Sequence, residues 1–122
     1  MTHSKIGFVG LGQMGSGMAA NLTAAGQTLY IHDQSASAMA RFTDTKAICC
    51  QNLSEIAQSC SLVFLCLPSA KEVDEVLFGP KGLVGNANVE ISIIDTSTLE
   101  RSEALQFHGQ LAHKAIQYAD CP

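Results

Sequence analysis

The chain has 122 residues, of which 47% are hydrophobic and 15% charged, and a formal net charge of −4. That is the length of one domain, with enough apolar material for a core without disulfide or metal staples and too little charge for a disordered chain. Only seven Lys+Arg leave no basic face for nucleic acid, and no apolar run approaches the roughly 20 residues of a membrane span.

Residues 5–10 (KIGFVG) read as a first strand. Residues 14–25 read as a helix, with Met14, Met18 and Leu22 at four-residue intervals on a core-facing stripe. Gly26 ends it, because glycine takes the left-handed C-terminal position without a Cβ penalty. Residues 28–32 (TLYIH) are β-branched and aromatic and read as a second strand, residues 35–42 as a short helix and residues 47–49 as a weak third strand. Asn52-x-x-Glu55 is a capping-box pattern that opens a helix to about residue 59. Residues 62–67 (LVFLCL) are continuously apolar, as a strand covered on both faces requires, and Pro68 ends the run. Ser69-x-x-Glu72 is a second capping box, opening a helix to about residue 78. Gly79, Pro80, Gly82 and Gly85 read as a turn-rich connection, residues 90–95 (EISIID) as a fifth strand, residues 98–113 as an amphipathic helix and residues 116–119 as the start of a sixth strand. Strands alternating with helices predict an α/β fold: three layers, a doubly wound parallel sheet with helices on both faces.

Residues 1–5 lead directly into the first strand without a signal-peptide layout, so a cytoplasmic location is expected. The cysteines Cys49, Cys50, Cys60, Cys66 and Cys121 form no C-x-x-C pair and have no histidine at zinc-ligand spacing. They read as buried free thiols, and no metal site is expected.

Gly10-Leu11-Gly12-Gln13-Met14-Gly15 is G-x-G-x-x-G. It follows a strand, opens a helix and lies in a βαβ unit, the context that makes the pattern specific. Asp33 ends the second strand 21 residues after Gly12, where a dinucleotide-binding fingerprint places an acid. Gly10 permits the tight turn, Gly12 lets backbone approach a pyrophosphate, and Gly15 lets helix pack close to strand. The helix N-terminus then presents N–H groups to the phosphates. Asp33 accepts from the adenosine ribose hydroxyls and repels a 2′-phosphate. With Gln34 and Ser35 following it and no Arg at hand, NAD is expected over NADP.

Residues 7–22 (GFVGLGQMGSGMAANL) resemble the N-terminal signature of the β-hydroxyacid dehydrogenases, a family that includes 3-hydroxyisobutyrate dehydrogenase, tartronate semialdehyde reductase and 6-phosphogluconate dehydrogenase. Met14 and Asn21 make the likeness narrower than a generic glycine-loop match. Leu65-Cys66-Leu67-Pro68 is similar to the family's strand end ahead of a cofactor-lining helix, and Asp95-Thr96-Ser97-Thr98 to its D-x-S-T/S substrate motif. The resemblance implies a Rossmann-type NAD(P)-binding domain over residues 1–122, incomplete at its C-terminal end. The parent oxidoreductase would move a hydride between a small 3-hydroxy acid and NAD. It also implies that Leu67, Pro68 and Thr98 line the cofactor and that Ser97 touches the substrate carboxylate. Ser97-x-x-Glu100 is a capping-box pattern as well, and the two roles are compatible. In the family the sixth strand runs into D-A-P-V-S-G-G; here Asp120-Cys121-Pro122 carries Cys where Ala is usual, and the chain ends. The family's catalytic Lys and its all-helical, dimer-building second domain are absent, so no catalytic residue is assigned. The chain is expected to bind dinucleotide without turnover, since acid–base chemistry needs a positioned proton carrier. The rival expectation is an inactive module that associates with itself, as a homodimer, or with a partner through uncovered apolar surface. A methyltransferase also uses a glycine loop and a strand-end acid, but the three-glycine spacing and Met14 argue against it.

Smaller features have plainer readings. His32 reads as a packed or rim histidine rather than a base, Asp95 as a turn-stabilising acid and Cys66 as core. His108 and His113, five apart, miss the spacing of a zinc pair and read as solvent-facing. Met14 reads as core first and as a cofactor contact second.

Overall fold

The computed structural model describes residues 5–87 and 90–122; residues 1–4, read above for targeting signals, and Asn88 and Val89 lie outside the described residues. Among the described residues the order is β1 (Ile6–Val9), α1 (Gln13–Ala24), β2 (Leu29–His32), α2 (Ala36–Ala40), β3 (Ile48–Cys49), α3 (Leu53–Ser59), β4 (Leu62–Leu65), α4 (Ala70–Phe78), α5 (Leu83–Asn86), β5 (Ser92–Asp95), α6 (Arg101–Ala112) and β6 (Gln117–Asp120). All strands are parallel, in the order β3-β2-β1-β4-β5-β6. The order reverses between β1 and β4, and the crevice outside their carboxyl ends is where a doubly wound sheet takes its ligand.

Side chains alternate across the sheet and divide the core in two. Ile6, Phe8, Leu29 and Ile31 face one way and pack with Ala19 of α1 and Ala38 of α2. Val9, Val63, Leu65 and Ile93 face the other and pack with Ile56, Val73, Leu77, Phe107 and Leu111 from α3, α4 and α6. Helices therefore cover both faces, as the alternating pattern predicts. Phe8 stacks on Phe64 at 5.9 Å between ring centroids, joining β1 to β4. No helix among the described residues is long and apolar enough to cross a membrane.

The elements differ from expectation where tertiary contacts take over. β4 stops at Leu65 because its neighbour β1 turns away at Gly10, whose φ is +102°. The glycine-rich connection contains a helical turn, α5, entered at Gly82 and tied by the Asn86 side chain donating to the Gly82 carbonyl at 2.7 Å. α6 begins at Arg101 rather than near Thr98, and its capping pair is Glu100 with Glu103: the Glu103 carboxylate accepts from the Glu100 N–H at 2.9 Å. Ser97 is committed elsewhere, so the Ser97-x-x-Glu100 box does not form. Asn52 does cap α3, accepting from Glu55 N–H at 3.0 Å. Ser69 makes no cap bond to α4 and instead donates its hydroxyl to the Glu72 carboxylate. The α1 stripe is also displaced: Gly15 and Ala19 are buried, Met18 and Leu22 half-buried, and Met14 is 71% exposed. Its place on the first turn lifts it off the core.

Candidate functional site

The turn from β1 into α1 is fixed by backbone collisions. A Cβ on Gly10 would lie 2.1 Å from the Cys66 carbonyl oxygen, and one on Gly15 would lie 2.0 Å from the Gly10 carbonyl oxygen. These two glycines let β4, the turn and α1 meet backbone to backbone. Gly12 differs. It is the N-cap residue of α1, it is exposed, and a Cβ there would meet nothing within 4 Å. No side chain caps α1 and no acid occupies its first turn, so the first N–H groups face an open space.

Asp33, at the end of β2, is half-buried and held by two backbone donors. Leu11 N–H donates to its Oδ2 at 2.7 Å and Ser35 N–H to its Oδ1 at 2.8 Å. The strand-end acid is thereby locked to the glycine turn. Leu11 contributes through its backbone alone, for its side chain is fully buried. Its carbonyl accepts from the Arg41 guanidinium at 2.8 Å, so an arginine eight residues beyond Asp33 stands over a hollow shared by Gly12, Asp33, Ser35 and Ser37. The residues directly after Asp33 gave no sign of it. His32 sits at the rim with Nδ1 2.9 Å from the Cys50 carbonyl.

The other side of the crevice is built around Asp95, which is fully buried. Its Oδ1 accepts from Ser97 N–H at 2.9 Å and its Oδ2 from the Tyr118 hydroxyl at 2.6 Å, which is the turn-stabilising role expected of it. Ser97 is 2% exposed, and its Oγ accepts from Leu67 N–H at 2.8 Å. One carboxylate thus ties β6, the turn after β5 and the turn after β4 together. Burial, and then the bond to Asp95, push the Tyr118 phenol above its ordinary pKa. His108 is not simply solvent-facing: its Nε2 lies 2.7 Å from Asp120 Oδ1 and its ring stands edge-on to Tyr118 at 4.8 Å. That bond holds the Asp120 carboxyl below its usual range.

Between the two sides lies a cleft of about 470 Å³. It gathers Gly10, Gly12, Met14, Gly15, Asp33, Leu67 and Pro68 from the residues singled out in the sequence. Leu11, Gln13, Ser97 and Thr98 do not line it; Leu11 and Ser97 are buried beneath, whereas Gln13 and Thr98 are exposed. Cys66 is half-buried on its wall rather than inside the core. Val9, His32 and Gln34 line it as well, and so do Leu53 of α3 and Glu72, Glu75 and Val76 of α4, four residues to which the sequence motifs assign no site role. The 72/75/76 spacing does place those three on one helix face, but only the fold shows that this face borders Asp33.

A model of the NAD binding domain of 6-phosphogluconate dehydrogenase matches residues 5–122. The chain is 36% identical over 118 residues to 2-(hydroxymethyl)glutarate dehydrogenase of Eubacterium barkeri, covering 97% of this chain and 39% of that protein. It is 31% identical over 121 residues to the human cytokine-like nuclear factor N-PAC, covering 99% of this chain and 22% of that protein. The fold matches 3-hydroxyisobutyrate dehydrogenase of Mycobacterium tuberculosis, solved with L-serine, with a TM-score of 0.88 at 24% identity, over 99% of this chain and 40% of that one. The chain therefore spans about two fifths of the length of the dehydrogenases it matches.

Proposed function

The chain belongs to the family of the NAD binding domain of 6-phosphogluconate dehydrogenase, among the hydroxyacid dehydrogenases, and from that footing we propose how its residues hold the dinucleotide and what the isolated domain does with it. The diphosphate lies over Gly12, against the first N–H groups of α1. The observation that carries this is the contrast among the three glycines: Gly10 and Gly15 are demanded by the protein's own backbone, whereas the space beside Gly12 is vacant of protein atoms. A methyl group there would fill the cradle that a phosphate needs.

Asp33 takes the adenosine ribose. Leu11 and Ser35 N–H groups orient its carboxylate, and each oxygen keeps a lone pair for a hydroxyl. A 2′-phosphate would face that carboxylate, which favours NAD over NADP; the Arg41 guanidinium nearby is engaged by the Leu11 carbonyl. The nicotinamide arm runs along Leu67 and Pro68, whose turn Ser97 holds through the Leu67 N–H. When bound, the nicotinamide supplies the hydride acceptor. In the whole oxidoreductase the second reactant is a small 3-hydroxy acid, with the Ser97 turn as the element nearest its carboxylate.

The isolated chain binds without turnover. Oxidation of an alcohol needs a proton carrier within hydrogen-bond reach. The described residues lining the cleft include no lysine, and the imidazole among them, His32, has Nδ1 at the Cys50 carbonyl. Titration with NADH, followed by dinucleotide fluorescence, tests the binding: a saturable change is expected, and none up to millimolar concentration would refute it. Asp33→Asn should lower affinity for NADH more than for NADPH, and an equal loss would refute the ribose role.

A second reading, an inactive module that assembles through its own surface, is favoured by the human relative named as a nuclear factor rather than a dehydrogenase. Light scattering at two concentrations separates the two, because a monomeric mass at both excludes self-association.

A further inference from the structure

We propose that Glu72, with Glu75 beside it, reads the base of the dinucleotide, so that the cleft selects adenine by accepting hydrogen bonds from its exocyclic amine. The inference rests on the reading of the cleft as a dinucleotide site. With the diphosphate over Gly12 and the ribose at Asp33, the base lies beyond Asp33. There the cleft is walled by Leu53 of α3 and by Glu72, Glu75 and Val76 of α4. The two aliphatic side chains suit the faces of a flat ring, which gains dispersion contact there without forfeiting a hydrogen bond.

The charged side chains among the described lining residues are all carboxylates: Asp33, Glu72 and Glu75. Glu72 is partly exposed and Glu75 exposed; the Ser69 hydroxyl donates to Glu72 Oε2 and fixes the carboxylate, whose oxygens can each accept more than one donor. The same bond holds the Glu72 carboxyl below its usual range, so near neutral pH the group accepts and does not donate. Adenine presents an amine at C6. Hypoxanthine presents a carbonyl oxygen at the same place, which sets acceptor against acceptor for a carboxylate fixed opposite C6; its N1–H lies one ring position away, outside that alignment. Asp33 and Glu72 thus divide the adenosine between them, one taking the sugar and the other the base.

The test is a fluorescence titration of the chain with NADH and with its hypoxanthine analogue, deamino-NADH. Wild type should bind NADH at least about tenfold more tightly, the size of one charge-assisted hydrogen bond. Glu72→Gln, whose amide can donate to the carbonyl oxygen, should narrow the ratio to below about threefold, and Glu75→Gln should narrow it less. Glu72→Ala should also lose discrimination, without the gain for deamino-NADH. Equal wild-type affinities, or a ratio that neither Gln variant moves while NADH still binds, would overturn the base assignment and leave the dinucleotide site standing. No saturable signal with either compound would overturn the site and the base assignment with it.

Discussion

Gly12→Ala and Gly15→Ala add the same methyl group three residues apart in one turn, and the structure assigns them opposite outcomes. At Gly15 the new Cβ would stand 2.0 Å from the Gly10 carbonyl oxygen and 3.0 Å from its carbon. Neither atom can move without shifting β1 against α1, so the cost is that of overpacking against backbone, about 1–3 kcal/mol or more. For a domain of this size that lowers Tm by about 4 °C per kcal/mol. At Gly12 the Cβ meets no protein atom, and the backbone, at φ −68° and ψ −167°, accepts any L-residue. Loss of unfolded-chain freedom favours Ala by about 0.4–1 kcal/mol, and the poorer N-cap returns a few tenths. The net change in stability is within about 0.5 kcal/mol. Affinity for NADH should nevertheless fall more than about tenfold, because the methyl group occupies the phosphate's place. Chemical denaturation and NADH titration on both variants supply the two readouts. A Gly12→Ala protein that binds NADH as wild type does would refute the phosphate cradle. One destabilised as much as Gly15→Ala would refute the division between packing and binding glycines.

Tyr118→Phe removes one of the two donors to the buried Asp95 carboxylate and should destabilise the fold by about 2 kcal/mol in denaturant. The phenol's pKa is raised in the folded state, so its contribution is full below the ordinary phenol pKa of about 10 and declines above it; the Phe variant should lack that alkaline decline in a stability–pH series. Ala115, in the turn before β6, has a φ of +57°, a region that penalises a Cβ. Ala115→Gly should therefore raise stability by about 0.5–1 kcal/mol despite glycine's greater unfolded freedom, and a lower Tm would contradict the strain. Burial pushes the Cys50 thiol up to about 12 and the Cys60 thiol up to about 11. At pH 8 a disulfide reagent should titrate exposed Cys121 quickly, half-buried Cys49 and Cys66 more slowly, and Cys50 and Cys60 only on unfolding. Five thiols reacting in one fast phase would contradict that order.

The sheet was legible because its signals are local. Short runs rich in apolar, β-branched or aromatic residues mark buried parallel strands, Gly10 and Pro68 end two of them, and β1, β2, β4 and β5 lie within the expected runs. Helix starts were harder, because a capping pattern states only what a side chain could bond. Asn52 has only a local second donor, the Ser54 hydroxyl two residues on, which shares its Oδ1 with the Glu55 N–H, and it caps α3. Ser97 has a distant competing partner, the Leu67 N–H thirty residues away, and the helix start moves to Arg101. A residue's neighbours in sequence carry no record of such a competitor. The Met14 expectation failed for a related reason: four-residue spacing defines a stripe, but the stripe's first member lies on the first turn of α1, past the carboxyl end of β1, where it borders the cleft and not the core.

The candidate site divides along the same line. Its glycine turn and strand-end acid are contiguous patterns whose geometry follows from two short segments, so both are legible in the sequence. Its remaining wall comes from α3 and α4, brought to β2 only because the strand order reverses between β1 and β4. The same reversal sets Cys66 behind Gly10, so the carbonyl that forbids a side chain on that glycine comes from the residue just past β4, on the way to the helix that carries Glu72. A substitution that shifts the end of β4 should therefore disturb both ends of the adenosine arm together, the phosphate turn through Gly10 and the base wall through α4. The Leu67–Ser97 bond opposes that shift: it ties the chain just past β4 to the turn after β5, where Asp95 holds Ser97 in turn. Ser97→Ala should accordingly weaken NADH binding although Ser97 does not line the cleft. The loss should appear with both NADH and deamino-NADH and be the larger for NADH, because the displaced wall serves the phosphate turn, which both ligands need, and Glu72, which adenine alone satisfies. A loss confined to NADH would instead make Ser97 part of base recognition and contradict the positioning role.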